Sequence, residues 1–381
     1  MRIGVMLRHY DQHGGGVRVY TRALLDYLIK NPGGHEFVLF FRNPALLGTY
    51  RAPHVQEVCV NGRSVLTWDQ VGLPRALRRH GVDVLFNPKY SVPLTGNYPA
   101  VWVCHGLDWY VMPWASRFID RLSHRFLVPR YAHRASAVIA VSEVTRDHLI
   151  EFLHMPPERV TTVYTAIEDL FRTRVPEEVL NAVRESYRLP ERFVLYAGAV
   201  YPPKNFTRLV QAYAQVGPQH GVSLVIAGGE NRFLSKHELE EPARLQLGDW
   251  VRWTAWVDAS TLAAFYQMAQ ALLMPSLFES FGIPIVEAMA SGCPVVTSNC
   301  YGASEIAADA AVLVEPSSVE AIAAGLDRIL HDQALRTRLI EQGYRRSSQF
   351  TWERCASQTL HVLERAAGAA SIAAARCGLP R

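Results

Sequence analysis

A chain of 381 residues is two to three times the usual single-domain size, so two domains are expected. With 49% hydrophobic and 19% charged residues it is not a disordered chain, and no apolar run reaches the roughly 18 to 20 residues that span a bilayer. The net charge of +4 is unevenly spread: residues 1–150 hold 18 Lys+Arg against 10 Asp+Glu and the remainder 21 against 25, so the first part is expected to face something anionic.

RIGVML reads as a first strand with no charged leader, and the six cysteines are dispersed without a CxxC pair or zinc-ligand spacing. A reducing, cytoplasmic setting is expected, at most peripheral on the inner face of a membrane. The segment HGGGVRVYTRALLDYL then turns through Gly14, Gly15 and Gly16 into a helix. Such a turn lets backbone approach a diphosphate, although the dinucleotide fingerprint GxGxxG is absent and a plain turn is an equal reading. HEFVLFF, VDVLF, AVWVCH and SAVIAVS follow as further strands, alternating with helical stretches in the pattern of a parallel sheet.

Between them, residues 106–134 interleave aromatics, Trp109 and Trp114 among them, with Arg117, Arg121, Arg125, Arg130 and Arg134. The arginines recur every four or five residues, close to one helix face. This predicts a surface for anionic lipid headgroups or a lipid-linked glycan, against the plainer reading of a wet amphipathic helix. Nucleic acid is disfavoured because the basic residues do not recur along an extended groove.

The strand pattern restarts after the charged segment at 172–192. FVLYAGA, SLVIAGG, VRWTAWV, ALLMPS, PVVTS and AAVLVEP form the second series. The expected organisation is an N-terminal domain at 1–171, a linker at 172–190, a C-terminal domain at 191–350 and a helix with a poorly ordered tail at 351–381. Both domains read as doubly wound α/β sheets, whose ligands bind beyond the carboxyl ends of the strands. Lys204 stands at such an end, behind Pro202 and Pro203, with Asn205 placed to cap the next helix. In ESFGIPIVEAMASG, Pro284 marks a first helical turn and Gly292 a C-terminal stop, giving a helix of about eight residues. Glu279 then lies at the end of a buried strand, where a carboxylate is costly unless used, and Glu287 lies in the opening turns of the helix.

ESFGIPIVEAMASGCPVV resembles the Glu-x7-Glu motif of retaining glycosyltransferases with the GT-B fold, family 4 of the group 1 type. HGGGVRVYTRALL, SAVIAVSEVTRDHL, YAGAVYPPKNFTRLVQAY, LVIAGG and SEIAADAAVLVEP resemble that family in the same order, over nearly the whole chain. The resemblance implies two Rossmann-like domains facing across a cleft. It also implies that Glu279 binds donor-sugar hydroxyls, Glu287 the nucleotide ribose, and the N–H groups of Phe281, Gly282 and Ile283 the sugar and phosphates. Gly15 and Gly16 would line the diphosphate, Lys204 would stabilise it as it leaves, and His105 would stand between donor sugar and acceptor.

Two departures qualify it. Ala199 stands where relatives often carry an arginine, leaving Arg18 or Arg208 as candidates for a second cation, and Thr165-Ala166 replaces the usual Asn-Gly. The implied reaction keeps the anomeric configuration, with no resident cofactor and no metal, since no DxD pair is present. WDQVGLPRALRRHGVDVLFNPKYSVPL resembles bacterial surface-polysaccharide mannosyltransferases, favouring GDP-mannose over a UDP- or dTDP-linked sugar, with a glycan or lipid-linked acceptor. Competing readings are a GT-B epimerase or phosphorylase, a catalytically silent glycan-binding subunit, and a Rossmann dehydrogenase, the last disfavoured by the missing fingerprint.

Overall fold

The computed structural model describes residues 1–10, 16–89, 91–115, 118–228 and 236–376. The chain forms two compact units, Met1–Ala166 together with the segment from Trp352 onward, and Ile167–Thr351.

The first unit is built on a seven-stranded sheet of β1 (Arg2–Leu7), β2 (Glu36–Phe41), β3 (Val55–Cys59), β4 (Val84–Asn87), β5 (Ala100–Cys104), β6 (Ala137–Ala140) and β7 (Val160–Thr162). The spatial order is β3-β2-β1-β4-β5-β6-β7 and every pairing is parallel. Helices cover both faces of such a sheet, so its inner strands read as unbroken apolar runs; every residue of β4 and β5 is buried. The edges β3 and β7 are short or half-exposed, and the apolar pattern did not reveal them. Strand order reverses between β1 and β4, which makes their carboxyl ends the switch point of this sheet.

The second unit repeats the scheme with β8 (Phe193–Ala197), β9 (Ser223–Ala227), β10 (Val251–Trp253), β11 (Ala271–Met274), β12 (Val295–Ser298) and β13 (Val312–Val314). These six strands are parallel in the order β10-β9-β8-β11-β12-β13, so the switch point falls between β8 and β11. The doubly wound α/β class expected for both halves is the one observed.

Two expected boundaries differ. Residues 172–190 are not a linker but part of the second unit, with a helix at Glu177–Ser186. The charged look of this stretch misleads because its polar groups are anchors: Arg172 donates to the carbonyls of Ser347 (3.0 Å) and Phe350 (2.9 Å), and Val175 N–H to Gln267 Oε1 (3.0 Å). The C-terminal helix, Trp352–Arg376, returns to the first unit and continues into the stretch from residue 368 that was expected to be poorly ordered, of which residues 377–381 lie outside the described residues. It packs on the Gly16–Lys30 helix through Tyr20, whose ring lies 5.9 Å from Trp352. Alanine has the highest intrinsic helix propensity, so an alanine-rich run readily continues a helix already begun.

Candidate functional site

In the second unit the two loops at the switch point are joined. After β8 the chain makes a short turn over Pro202–Lys204, and after β11 it runs through Pro275 to Gly282 before the Ile283–Ala290 helix. Leu277 N–H donates to the Pro203 carbonyl (2.8 Å), which fixes one loop against the other. Lys204 Nζ then lies 2.5 Å from Glu279 Oε1, the side chains 14% and 8% exposed. Ser276, itself buried, donates its hydroxyl to the same Glu279 oxygen (2.8 Å) and is held in turn by Ser298, whose hydroxyl donates to the Ser276 carbonyl.

Burial opposes the Lys204 charge, but the Glu279 carboxylate, with Tyr201 and Tyr196 adding, outweighs it and the lysine pKa is raised. Lys204 is therefore a fixed cation at neutral pH. The loop carrying Glu279 is shaped by two glycines. Gly282, at φ +89°, turns the chain into the helix, and a Cβ on Gly302 would lie 2.4 Å from the Ser280 carbonyl oxygen. Among the described residues the N–H groups of Gly282 and Ile283 donate to no protein group, as a first helical turn requires. Phe281 is buried against Phe350.

Glu287 is the fifth residue of that helix, further in than its opening turn. Tyr266, wholly buried, donates to Glu287 Oε2 (3.1 Å). Burial pushes the Glu287 carboxyl up to about 7; the Tyr266 bond works against this and the Glu168 charge with it. Asn205 does not cap the next helix through its side chain. Its backbone is left-handed, and its amide spans the carbonyls of Pro275 (2.9 Å) and Pro316 (2.7 Å), while Oδ1 accepts from Arg208 (3.1 Å). Arg208 is thus engaged by Asn205, and the Ala199 carbonyl accepts the Tyr196 hydroxyl (2.8 Å).

His105 follows β5 in the first unit. Its Nε2 lies 2.7 Å from the Pro88 carbonyl, an acceptor, so Nε2 carries the proton and Nδ1 is left as an acceptor. Burial lowers its pKa to about 4, which keeps the ring neutral, and it stands edge-on to Tyr20 at 4.9 Å. Gly16 opens the Gly16–Lys30 helix and lines a cavity at the β1/β4 switch point; Gly15 lies outside the described residues.

The expected aromatic and basic surface is only partly a surface. Trp109 is 8% exposed and stacks on His124 at 4.4 Å, so it is core, because its short helix turns it inward. Arg134 is spent on the carbonyls of Gly96 and Tyr98 and on the Tyr98 ring. Arg125 is exposed, Arg121 reaches the Pro113 carbonyl, and Trp114, Leu122 and Phe126 are open to solvent. Arg117 lies outside the described residues. Ser276 and Tyr266, the direct partners of the two glutamates, were missed; only the position of Ser276, two residues beyond β11, could have flagged it. Among the described residues no group of His, Cys, Asp and Glu could hold a metal, and no helix is long and apolar enough to cross a membrane.

Two doubly wound parallel-sheet units, the second with a lysine and a glutamate joined at its switch point, have the architecture of GT-B glycosyltransferases. Residues 14–169 match the family described as Glycosyltransferase Family 4 and residues 182–346 that described as Glycosyl transferases group 1. The chain belongs to this glycosyltransferase family. It is 28% identical over 342 residues to O-antigen chain mannosyltransferase B of Escherichia coli, spanning 86% of this chain and 82% of that protein, but spans only 27% to 60% of other curated relatives. Sucrose-phosphate synthase of Thermosynechococcus elongatus superposes with a TM-score of 0.78 at 23% identity, covering 97% of this chain and 100% of that one. Anabaena HepE, solved with UDP-glucose, superposes with a TM-score of 0.76 at 19% identity, covering 96% and 100%.

Proposed function

We propose that the chain is a retaining hexosyltransferase that moves mannose from GDP-mannose onto a glycan or lipid-linked acceptor of a bacterial surface polysaccharide. The observation that carries this reading is the Lys204–Glu279 pair at the β8/β11 switch point, a fixed cation and a buried carboxylate on one loop pair. Lys204 neutralises the departing diphosphate, and Glu279 holds the sugar hydroxyls beside the anomeric carbon. Glu287 accepts the ribose hydroxyls, and the N–H groups of Phe281, Gly282 and Ile283 reach the sugar and phosphates. The anomeric carbon–oxygen bond to phosphate breaks, the acceptor oxygen bonds on the same face, and its proton goes to the leaving phosphate. His105, neutral, offers Nδ1 to a hydroxyl. No metal is assigned a part. The mannosyl assignment takes its support from the name of the E. coli relative, and the nucleotide-sugar donor from the ligand of HepE.

A thermal-shift titration of the whole chain with GDP, UDP, ADP and dTDP, without and then with magnesium, tests the donor. Saturation at 100 times Kd adds about 2.7 kcal/mol. GDP is expected to raise the melting temperature by several degrees without metal; a shift with another nucleotide alone replaces GDP-mannose, and no shift with any withdraws the donor site.

We further propose that the exposed face of the Phe118–Arg134 helix, with Arg121, Arg125, Leu122 and Phe126, rests together with Trp114 on an anionic membrane surface on the cytoplasmic side. Vesicles containing phosphatidylglycerol are expected to sediment the protein at low salt, and the Arg121→Glu/Arg125→Glu variant to stay in solution. Equal sedimentation of both proteins assigns the arginines to ordinary solvated surface.

A further inference from the structure

A single hydrogen bond does not fix a ring. The bond from His105 Nε2–H to the Pro88 carbonyl (2.7 Å) anchors one edge of the imidazole, about which the ring can still pivot, because the terminal torsion of a histidine is soft. Tyr20 closes off that pivot. Its ring meets the histidine edge-on at 4.9 Å with the two planes at 79°, an arrangement that is attractive as well as space-filling. Tyr20 is 1% exposed on the Gly16–Lys30 helix, so it has little room to yield.

The support continues into the last helix. Trp352, the first residue of the Trp352–Arg376 helix, sets its ring 5.9 Å from that of Tyr20. Cys355, Thr359 and Leu363 of the same helix are buried, at the spacing that puts them on one face. The helix packs against the Gly16–Lys30 helix and against β4 and β5, the strands that lead into Pro88 and His105. Both partners of the anchoring bond thus follow directly from strands that this helix covers.

We propose that Tyr20 is a positioning residue for His105 and that the Trp352–Arg376 helix holds Tyr20 in place, so that the last helix acts on the reacting hydroxyl through three rings in file. The proposal rests on the transferase reading above only in the role given to His105. The Tyr20 ring keeps Nε2 on the Pro88 carbonyl, which leaves Nδ1 as the acceptor, and it shields one side of the imidazole from water. Burial holds the His105 pKa down to about 4; the Pro88 bond works against this and the Lys89 charge with it. Lys89, from the turn after β4, and Tyr20 are the titratable groups that bear on the ring, and Cys355 bears on Tyr20. Burial keeps Tyr20 and Cys355 neutral at pH 7. A smaller side chain at position 20 admits water, and the imidazole then takes up its proton at a higher pH. A doubly protonated ring accepts no hydrogen bond.

The test is nitrogen NMR of the whole chain, isotope-labelled at histidine and titrated between pH 5 and 8, with the His105 signals assigned by their absence from His105→Gln. Wild type is expected to keep the neutral, Nε2-protonated ring throughout. In Tyr20→Leu the ring should titrate with a midpoint above about 5.5 and show both neutral tautomers. Trp352→Leu, which touches neither residue 20 nor residue 105, should move the midpoint the same way by less, and Tyr20→Phe, which keeps the ring, should match wild type. A wild-type ring that titrates near its ordinary value, or a folded Tyr20→Leu protein with His105 unchanged, overturns the inference. If Tyr20→Leu does not fold, Trp352→Leu decides: an unmoved midpoint and tautomer there overturn it equally. Release of GDP from saturating GDP-mannose, with water as acceptor, is followed over the same pH range. Its kcat should stay flat in wild type and fall to about half at the new midpoint in Tyr20→Leu. The expected NMR changes with no GDP released by wild type uphold the positioning of His105 and sink the GDP-mannose reading instead.

Discussion

Glu279→Gln is expected to lower kcat by roughly 100- to 1,000-fold while nucleotide affinity moves by no more than about twofold. The carboxylate faces the sugar in the proposed reaction, so its removal is felt in transfer and not in nucleotide capture. Lys204→Met is expected to be equally inactive and also unstable. It leaves Glu279, 8% exposed, without its cation, and breaking a buried pair from one side costs about 3 to 5 kcal/mol. The Lys204→Met/Glu279→Leu double variant removes both charges and should regain most of that stability while staying inactive. Recovery of the melting temperature without recovery of activity separates chemistry from scaffolding. Near-wild-type turnover in any of the three variants would sink the catalytic assignment of the pair.

Glu287→Gln is expected to stabilise the free protein and weaken its hold on nucleotide. The sign follows from the raised carboxyl pKa. In the unfolded chain Glu287 ionises near 4.5, whereas in the fold it ionises near 7, so ionisation costs the native state stability. That loss begins as pH rises past the unfolded value, grows until about 7 and is constant above it, reaching about 3 kcal/mol at most. Glutamine cannot ionise, so the variant should melt several degrees higher than wild type at pH 8 and show no advantage at pH 4. A carboxylate accepts both ribose hydroxyls where an amide oxygen accepts fewer, so nucleotide Kd should rise about tenfold at pH 8. Wild-type affinity should itself fall as pH drops below 7 and Glu287 takes up its proton. A flat pH profile from 6 to 8 together with an unchanged Kd in the variant would falsify the ribose assignment.

The frame around the two glutamates was legible because it is punctuated locally. Gly282, Pro284 and Gly292 mark a helix start and stop whatever surrounds them, and the observed helix, Ile283–Ala290, has the expected length. Inner strands such as AVWVC were legible because burial on both faces leaves little freedom of composition. What stayed hidden depends on partners far away in sequence. Asn205 invites a local capping reading, yet the carbonyls it serves lie 70 and 111 positions along the chain. Tyr266, 21 residues before Glu287, looks like an ordinary helix aromatic until the fold sets its hydroxyl on the carboxylate. Trp109 shows the opposite failure, since an aromatic among arginines suggests a surface and only tertiary packing shows it to be core.

The Trp352–Arg376 helix gives the first unit an unusual order of manufacture. The ribosome finishes all of Ile167–Thr351 before it makes the helix that covers Tyr20. At about 5 to 20 residues per second, the seven-stranded sheet waits roughly ten to forty seconds with one apolar flank bare. The second unit, encoded later but contiguous, can reach its finished form first, and the first unit is completed only once the Trp352–Arg376 helix has been made.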